Sequence, residues 1–426
     1  MAVLEKEVIA QSKSISLKRR FLLLPLMFFF ILFAYFDRIN VAILATDQSF
    51  LNHFNLNGNP AAIGFLMTAF LLGYGISGIV LGAAVDRFGP RLSASVLCLV
   101  WSLTMIAMGL AGKFSSLLAG RVVLGVAEGP QFAINSKWIK NWFLPGEQAT
   151  VNSVWLFGSP LGAALGMPFI TFLVFGLGWQ ASFWILGLIT LILVTPYLYF
   201  IMVDKPEQAG WVSESEVRLI KSRAAAGPEK RFNPAEIKTI VKNSDFWLNT
   251  LGVMGEVSFL WGLMMWLPSY LKQSRGMSVT EMGSYSGITF VALALGLFIG
   301  SLASDRAMRR APFCLFGMTG MGLAMLVAAL AASNTMAVAF IWIAAFGFGI
   351  AMSPMHVIAQ NIPAREMVAT GYGLWNGIGN LTSAFVPFLM GAIIKSTGDF
   401  TYGMFVLVLV ALLGSLPYIA LTMRRY

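Results

Sequence analysis

Arg121 and Glu128 stand seven residues apart in Gly120–Gln131, GRVVLGVAEGPQ, with apolar or small residues on both sides. Seven residues is two helical turns, so both project from nearly the same helix face. A second acid–cation pair, Asp37-Arg38, lies in the first apolar stretch of the chain. Ionisable residues inside a spanning helix are costly, face a bundle interior or a water-filled cavity, and require a partner. The chemistry open to them is to hold an anion and to exchange protons. A guanidinium is always charged and presents a planar fork that matches a carboxylate. A buried carboxylate is balanced between a neighbouring cation, which favours its charge, and burial, which opposes it. An arriving anion can tip that balance and so link proton binding to substrate binding. The other reading of each pair is a fixed ion pair that locks one helix to a neighbour.

The elements that must position these residues are legible from composition. The chain has 426 residues, is 58% hydrophobic and 11% charged, and has a mean hydropathy of +0.76. A soluble fold of this length needs more charge to cover its surface. Apolar runs of about 20 residues, the length that crosses a ~30 Å hydrocarbon core, recur throughout. The run from Phe21 follows Lys18-Arg19-Arg20 in the manner of a signal sequence, but it is too long, carries Asp37-Arg38 and lacks a small-residue cleavage site. It is kept as a span.

The net charge of +10 follows topology rather than nucleic acid. Lys and Arg gather at the N-terminus, at Arg87/Arg91, Lys137/Lys140, Lys205–Lys242, Arg306/Arg309/Arg310 and Arg424/Arg425, all on alternate connections. The opposite connections hold only Lys113, Lys272, Arg275 and Lys395. The positive-inside rule then places both termini in the cytoplasm. Cys98 and Cys314 lie in apolar stretches and indicate neither a disulfide framework nor a metal site.

Twelve helices are expected at about 21–46, 59–85, 92–112, 115–140, 147–175, 179–202, 245–272, 279–304, 312–332, 335–360, 366–395 and 399–423. The fold class is an all-α membrane protein with two pseudo-symmetric six-helix bundles. Residues 1–202 form the first bundle, 203–244 a cytoplasmic linker with a short helix near 213–225, and 245–426 the second bundle. The linker reads as a solvated tether, and Ser213–Glu216 carries a capping-box pattern. Asp86-Arg87 recurs as Asp305-Arg306, and Gly158…Pro168 as Gly377…Pro387, both offset by 219 residues. Two unrelated landmarks sharing one offset indicate a duplicated six-helix unit, and transporters built from repeats place the substrate between the halves near mid-membrane.

Gly82, Asp86, Arg87, Gly89 and Arg91 form a G-x-x-x-D-R-x-G-x-R pattern between the second and third helices. Gly82 is expected to let a neighbouring helix approach, and Gly89 to permit a tight turn. In a twelve-helix chain this pattern resembles the signature of the major facilitator superfamily. A degraded copy spans Ser301–Arg310, with Asp305 and Arg306 at the matching positions. Both copies read as gating elements.

Tyr35-Phe-Asp37-Arg38, Arg121-x3-Gly125-x2-Glu128-Gly129, Asp204-Lys-Pro-Glu and Trp266-Leu-Pro268-Ser-Tyr270 resemble the anion:cation symporter family within that superfamily. It includes bacterial galactonate, glucarate, hexuronate and tartrate permeases. The resemblance implies proton-coupled transport of organic carboxylates, with Asp37 and Glu128 handling protons. Arg38 would serve the substrate carboxylate and Arg121 the glutamate, so that Arg121→Ala perturbs coupling more than affinity.

Further candidates are Tyr35 and Tyr74 as cavity hydroxyls, His356 as a reader of the substrate carboxylate, and Asn376 and Asn380 as a polar strip for substrate hydroxyls. Each has a packing alternative. Trp261 and Trp266 read as packing residues. The repeat offset carries Asp37 onto Glu256, a candidate further proton site or gate partner for Arg38; the alternative is an acid facing water at the extracellular mouth. The favoured reading is a proton-coupled symporter importing a small organic carboxylate such as a sugar acid across the cell inner membrane. Its partners are that anion, protons and the lipid bilayer, with no nucleic acid and no cofactor, and its working unit is a monomer. Efflux of a hydrophobic or cationic compound is the rival within transport, supported by the glycines of Gly158-Ser-Pro160-Leu-Gly162-x3-Gly166. A polytopic receptor or membrane enzyme is the rival from another class. No nucleophile–base pair, phosphate cradle or metal-ligand cluster supports an enzyme.

Overall fold

The computed structural model describes residues 19–144, 147, 151, 154–224, 234–362 and 368–426, with backbone alone at 19, 22, 83, 86, 222–224, 234–237 and 368–370. Among them are twelve helices long and apolar enough to cross a membrane. They are α1 (Leu24–Leu44), α2 (Pro60–Val80), α3 (Pro90–Gly109), α4 (Phe114–Trp142), α5 (Val154–Leu177), α6 (Trp179–Phe200), α7 (Ser244–Ser274), α8 (Val279–Ala307), α9 (Ala311–Leu330), α10 (Asn334–Asn361), α11 (Gly371–Thr397) and α12 (Phe400–Met423). The ends follow local chemistry. Pro60 and Pro90 open α2 and α3, where a missing backbone N–H costs nothing. Ser278, Ser333 and Asp399 cap α8, α10 and α12 with side-chain oxygens.

The packing repeats. In the first six helices α1 pairs with α5, α2 with α4, and α3 with α4 and α6; in the last six α7 pairs with α11, α8 with α10, and α9 with α10 and α12. Each pairing maps onto its counterpart by adding six. The halves meet through α2 on α11, α5 on α8, and α1 on α7. Glycine makes the tightest of these approaches possible, since a Cβ on Gly125 of α4 would stand 2.1 Å from Phe70 O of α2. Gly349 of α10 bears the same relation to Leu293 O of α8, at 2.1 Å. Gly82 does not play the expected part: among the described residues a Cβ there meets nothing within 4 Å. The α2–α4 contact is carried one turn or more earlier on α2, by Gly73 and the residues facing Gly125 and Gly129.

The described chain termini and the linker share one end of the molecule. At the opposite, far end the halves are joined. Lys272 Nζ donates to Thr46 O at 2.7 Å, and Gln273 Nε2 to Ala45 O at 3.0 Å. Gly64 lies against Pro387 O and Gly391 against Pro60 O, at 2.2 and 2.4 Å from where a Cβ would sit. Toward the linker end α5 and α8 part around an apolar cleft of about 290 Å³ lined by Phe157, Pro160, Leu161, Phe290, Leu295 and Phe298 among others.

The linker is not the solvated tether expected over its first part. Trp138 and Trp142 of α4 both donate to Val203 O at 2.8 Å, Asn141 Nδ2 donates to Asp204 O, and Trp142 stacks on Trp211. A helix runs over Glu214–Ala224, and its Glu216 shares the buried Arg20 guanidinium with Glu147. Aromatic burial and a desolvated ion triad, neither with any sequence periodicity, hold this segment to the first bundle.

Candidate functional site

The charged residues of the first bundle converge. Asp37 and Arg38 come from α1, Arg121 and Glu128 from α4, and all four are at most 1% exposed. Arg38 Nε donates to Glu128 Oε2 at 2.8 Å. The Arg38 guanidinium lies over the rings of Tyr35 and Tyr74, each 4.9 Å to the centroid, and farther from Phe70 at 5.8 Å. Cation–π contacts of this kind hold a guanidinium plane without consuming its N–H donors. Arg38 Nη2 and Glu128 Oε1 have no hydrogen-bond partner among the described residues, so the ion pair offers one donor nitrogen and one acceptor oxygen to something else.

Arg121 was expected to serve Glu128, and the structure corrects that pairing. Its Nε donates to Leu66 O at 3.2 Å, Nη2 lies 3.8 Å from Met67 Sδ, and the guanidinium covers Phe70 at 4.6 Å. The reason is geometric. Seven residues along a helix is about 10 Å of rise, too far for a direct contact between side chains that both point at α1 and α2. Phe70 is thus a neighbour of both arginines, closer to Arg121 than to Arg38. Asp37 accepts from Trp101 Nε1 of α3 through Oδ2, while Oδ1 is unpartnered.

Candidates from the second bundle form separate groups. Trp261 Nε1 donates to Asn380 Oδ1 at 3.4 Å, and Asn380 Nδ2 donates to Asn376 Oδ1 at 3.0 Å. Asn380 neighbours Leu381, which packs on Gly75 beside Tyr74, so this strip stands at the depth of Arg38 on the facing half. His356 Nδ1 is 2.7 Å from Tyr372 Oη, with Trp375 edge-on at 4.9 Å. Glu256 is 2% exposed and its Oε1 is unpartnered. It neither faces water at a mouth nor reaches Arg38; Cys314, Tyr372 and Tyr418 share its surroundings.

The loop between α2 and α3 holds the gating pattern. Gly89 has φ +84° and abuts Asp204, whose Oδ1 accepts from Arg91 N at 2.7 Å. Arg91 Nε donates to Tyr199 O at 2.7 Å, and Lys137 Nζ to Val85 O at 3.3 Å. The Asp86 side chain lies outside the described residues; Arg87 is exposed over Phe88 at 5.5 Å. In the second copy Arg310 pairs with Asp305 and reaches Ser304 Oγ, Met308 takes φ +52°, and Arg306 is exposed. A methyl at position 89 needs both a left-handed backbone and the space Asp204 fills. Gly89→Ala is therefore expected to cost about 1–3 kcal/mol of stability. Asp204→Ala, which orphans the Arg91 N–H, should cost a similar ~1–3 kcal/mol. Asp204→Asn, which keeps an acceptor, should cost less. Thermal unfolding of the purified variants checks the order, and an Asn variant as weak as the Ala variant would refute the hydrogen-bond account.

Trp101, Phe70 and Asp204 belong to these constellations but were not singled out from sequence. Trp101 carried a signal: tryptophan is enriched at membrane interfaces, and this one sits in mid-span. Asp204 appeared only as part of a motif, and Phe70 had no signal among 34 phenylalanines.

Comparison with known proteins agrees with this architecture. Residues 27–387, and separately 260–425, match the family described as Major Facilitator Superfamily. A hexuronate transporter of Bacillus subtilis (strain 168) is 26% identical over 89% of this chain and 89% of its own length. A probable galactarate/D-glucarate transporter of Escherichia coli (strain K12) is 26% identical over 94% and 93%. Both kinds of relative fit the resemblance to anion:cation symporters. Among solved structures, an inward-facing, unoccupied bacterial homologue of the human lysosomal transporter Spinster superposes with a TM-score of 0.78 at 20% identity, covering 96% of this chain and 99% of its own. The chain belongs to the Major Facilitator Superfamily, as a multi-pass membrane transporter rather than an enzyme.

Proposed function

We propose that the protein is a proton-coupled symporter that imports a small organic carboxylate, with a sugar acid as the expected cargo. The observation that carries this reading is the buried Arg38–Glu128 pair, which keeps one guanidinium nitrogen and one carboxylate oxygen unpartnered. A structural ion pair is stable when every donor and acceptor is satisfied; this one is left incomplete. A substrate carboxylate takes the free Nη2 of Arg38, with the Tyr35 and Tyr74 rings holding the guanidinium plane. Protonation of Glu128 releases Arg38 to the anion, and deprotonation draws it back. Asp37, beside them, takes a second proton. Asn376, Asn380 and Trp261 meet the substrate hydroxyls from the other half, and His356 stands behind them with Tyr372.

Two six-helix units, 1–202 and 245–426 joined by 203–244, rock about that site. Their closure at the far end and their parting between α5 and α8 suit the member of an alternating-access cycle that opens toward the linker. The basic connections at that end support a cytoplasmic orientation for it, with the chain crossing the cell inner membrane as a monomer. The relatives that carry hexuronate or, by their names, galactarate and D-glucarate support the substrate class. Two arginines at the centre disfavour a cationic cargo.

The test is ligand-induced stabilisation. D-galactonate or D-glucuronate at ~100 times its dissociation constant adds about 2.7 kcal/mol to the bound fold by mass action. The unfolding temperature should rise with either acid and stay put with galactitol, which is neutral. A rise with galactitol and none with any acid in the panel would overturn the carboxylate reading.

A further inference from the structure

Below Glu128, on the side toward the linker end, α4 carries two buried carboxamides that the proposed site does not use. The helix is interrupted at Gly129-Pro130 and resumes at Gln131. Gln131 and Asn135 are each 1% exposed. Gln131 Nε2 donates to Phe30 O of α1 at 3.0 Å, which fixes its orientation and turns Oε1 away as an unpartnered acceptor. Asn135 Nδ2 is an unpartnered donor. Positions 128, 131 and 135 follow the i, i+3, i+7 spacing of one helix face. Glu128 Oε1, Gln131 Oε1 and Asn135 Nδ2 therefore make a set of three buried polar atoms on that side of α4 with no partner among the described residues. It spans roughly 10 Å of helix rise from the ion pair toward the linker end.

An unsatisfied buried polar group costs about 1–3 kcal/mol, and three in line along one face is not a cost that packing explains. Buried waters settle where two to four such groups converge. We propose that Gln131 and Asn135 hold a short file of ordered water that carries the proton between Glu128 and the solution at the linker end. The inference rests on the reading of Glu128 as a proton-coupling acid. In the release direction the Glu128 O–H bond breaks as a water held by Gln131 Oε1 takes the proton. That water passes a proton to the next, held at Asn135, and the excess proton leaves to solution. The carboxylate left behind returns to Arg38, whose guanidinium keeps its own protons. Other charged or titratable groups within electrostatic reach of Glu128 are Asp37 and Tyr35 on α1, Tyr74 on α2, Cys98 on α3 and Arg121 on α4. Those lie beside or beyond the ion pair, and among the described residues no further charge acts on Glu128 from the side toward the linker end. Gln131 and Asn135 are positioning residues in this scheme, since neither exchanges a proton itself.

The experiment needs no substrate. Protons released by a flash from a caged acid protonate the purified full chain, and the carboxyl C=O infrared band of Glu128 is followed in time, assigned by its loss in Glu128→Gln. In the Gln131→Met/Asn135→Leu double variant, the band should rise about tenfold more slowly, the size of a ~1.4 kcal/mol barrier. Its equilibrium midpoint in pH and the unfolding temperature should stay as in the wild type. Asn135→Ser, a small hydroxyl with room for one more water, should restore most of the rate. An unchanged rate overturns the proposal, and so does a slower rate accompanied by a shifted midpoint or lower unfolding temperature, which marks a packing role. A wild-type chain in which no Glu128 band appears at any pH brings down the coupling reading instead, and the two failures are told apart by that band alone.

Discussion

Arg38→Ala is expected to weaken carboxylate binding and uptake by about 30-fold or more, since truncating one member of a buried charge pair costs about 2–5 kcal/mol. Two losses combine. The site loses the guanidinium that lies over two tyrosine rings with Nη2 unpartnered among the described residues, and Glu128 is left buried without its hydrogen-bonded cation. The second loss threatens folding, so the informative variant is Arg38→Ala/Glu128→Gln. Removing both charges avoids the orphaned carboxylate, and stability should recover while binding does not. Arg38→Lys should recover only part of the affinity, because an ammonium cannot present a fork while lying flat on Tyr35 and Tyr74. Arg121→Ala is the contrast. Arg121 makes its hydrogen bond to Leu66 O of α2, covers Phe70 and acts on Glu128 only through its field, so its loss should leave affinity nearly intact and disturb coupling. Titration calorimetry with D-galactonate or D-glucuronate, paired with uptake into vesicles, separates the two. Loss of binding in Arg121→Ala with binding retained in Arg38→Ala would reverse the assignment.

The fold was legible because it is written in patterns of short range or fixed period. Apolar runs the length of a bilayer mark twelve spans, and the 219-residue offset from Asp86 to Asp305 anticipates that α2–α4 and α8–α10 pack alike. The site was legible as a set of residue types, because a charge in hydrocarbon needs a reason. Its wiring was not. Glu128 lies 90 residues from Arg38 and seven from Arg121, and proximity in sequence did not reveal that Arg38 makes the hydrogen bond. Only the crossing of α1 over α4 decides which guanidinium reaches which carboxylate. Gly82 failed for a related reason: a glycine permits a close approach but does not say that a helix arrives there. The linker was misread because indole N–H groups meeting a backbone carbonyl, and an arginine shared by Glu147 and Glu216, depend on tertiary contacts without local periodicity.

Asp37→Asn is expected to separate transport from its driving force. Asparagine keeps the shape of the side chain and can still accept from Trp101 Nε1, so α1 and α3 stay joined. What it cannot do is take up or release a proton. Exchange of labelled for unlabelled substrate across vesicles, which moves no net proton, should continue within about threefold, less than a kcal/mol of lost interaction. Accumulation driven by a pH gradient should disappear. Glu256→Gln tests whether the second bundle contributes in the same way. Glu256 occupies the repeat-related position, is equally buried and, among the described residues, has no cation paired with it, so its charge is not stabilised as that of Glu128 is. If it carries a proton through the cycle, the number of protons moved per substrate, read from the gradient needed to hold zero net flux, should fall by one in Glu256→Gln while accumulation persists. An unchanged ratio leaves Glu256 a buried neutral acid of the second bundle and confines coupling to Asp37 and Glu128. Accumulation that survives in Asp37→Asn would remove Asp37 from the coupling scheme and leave Glu128, with its path toward the linker, as the acid on which transport turns.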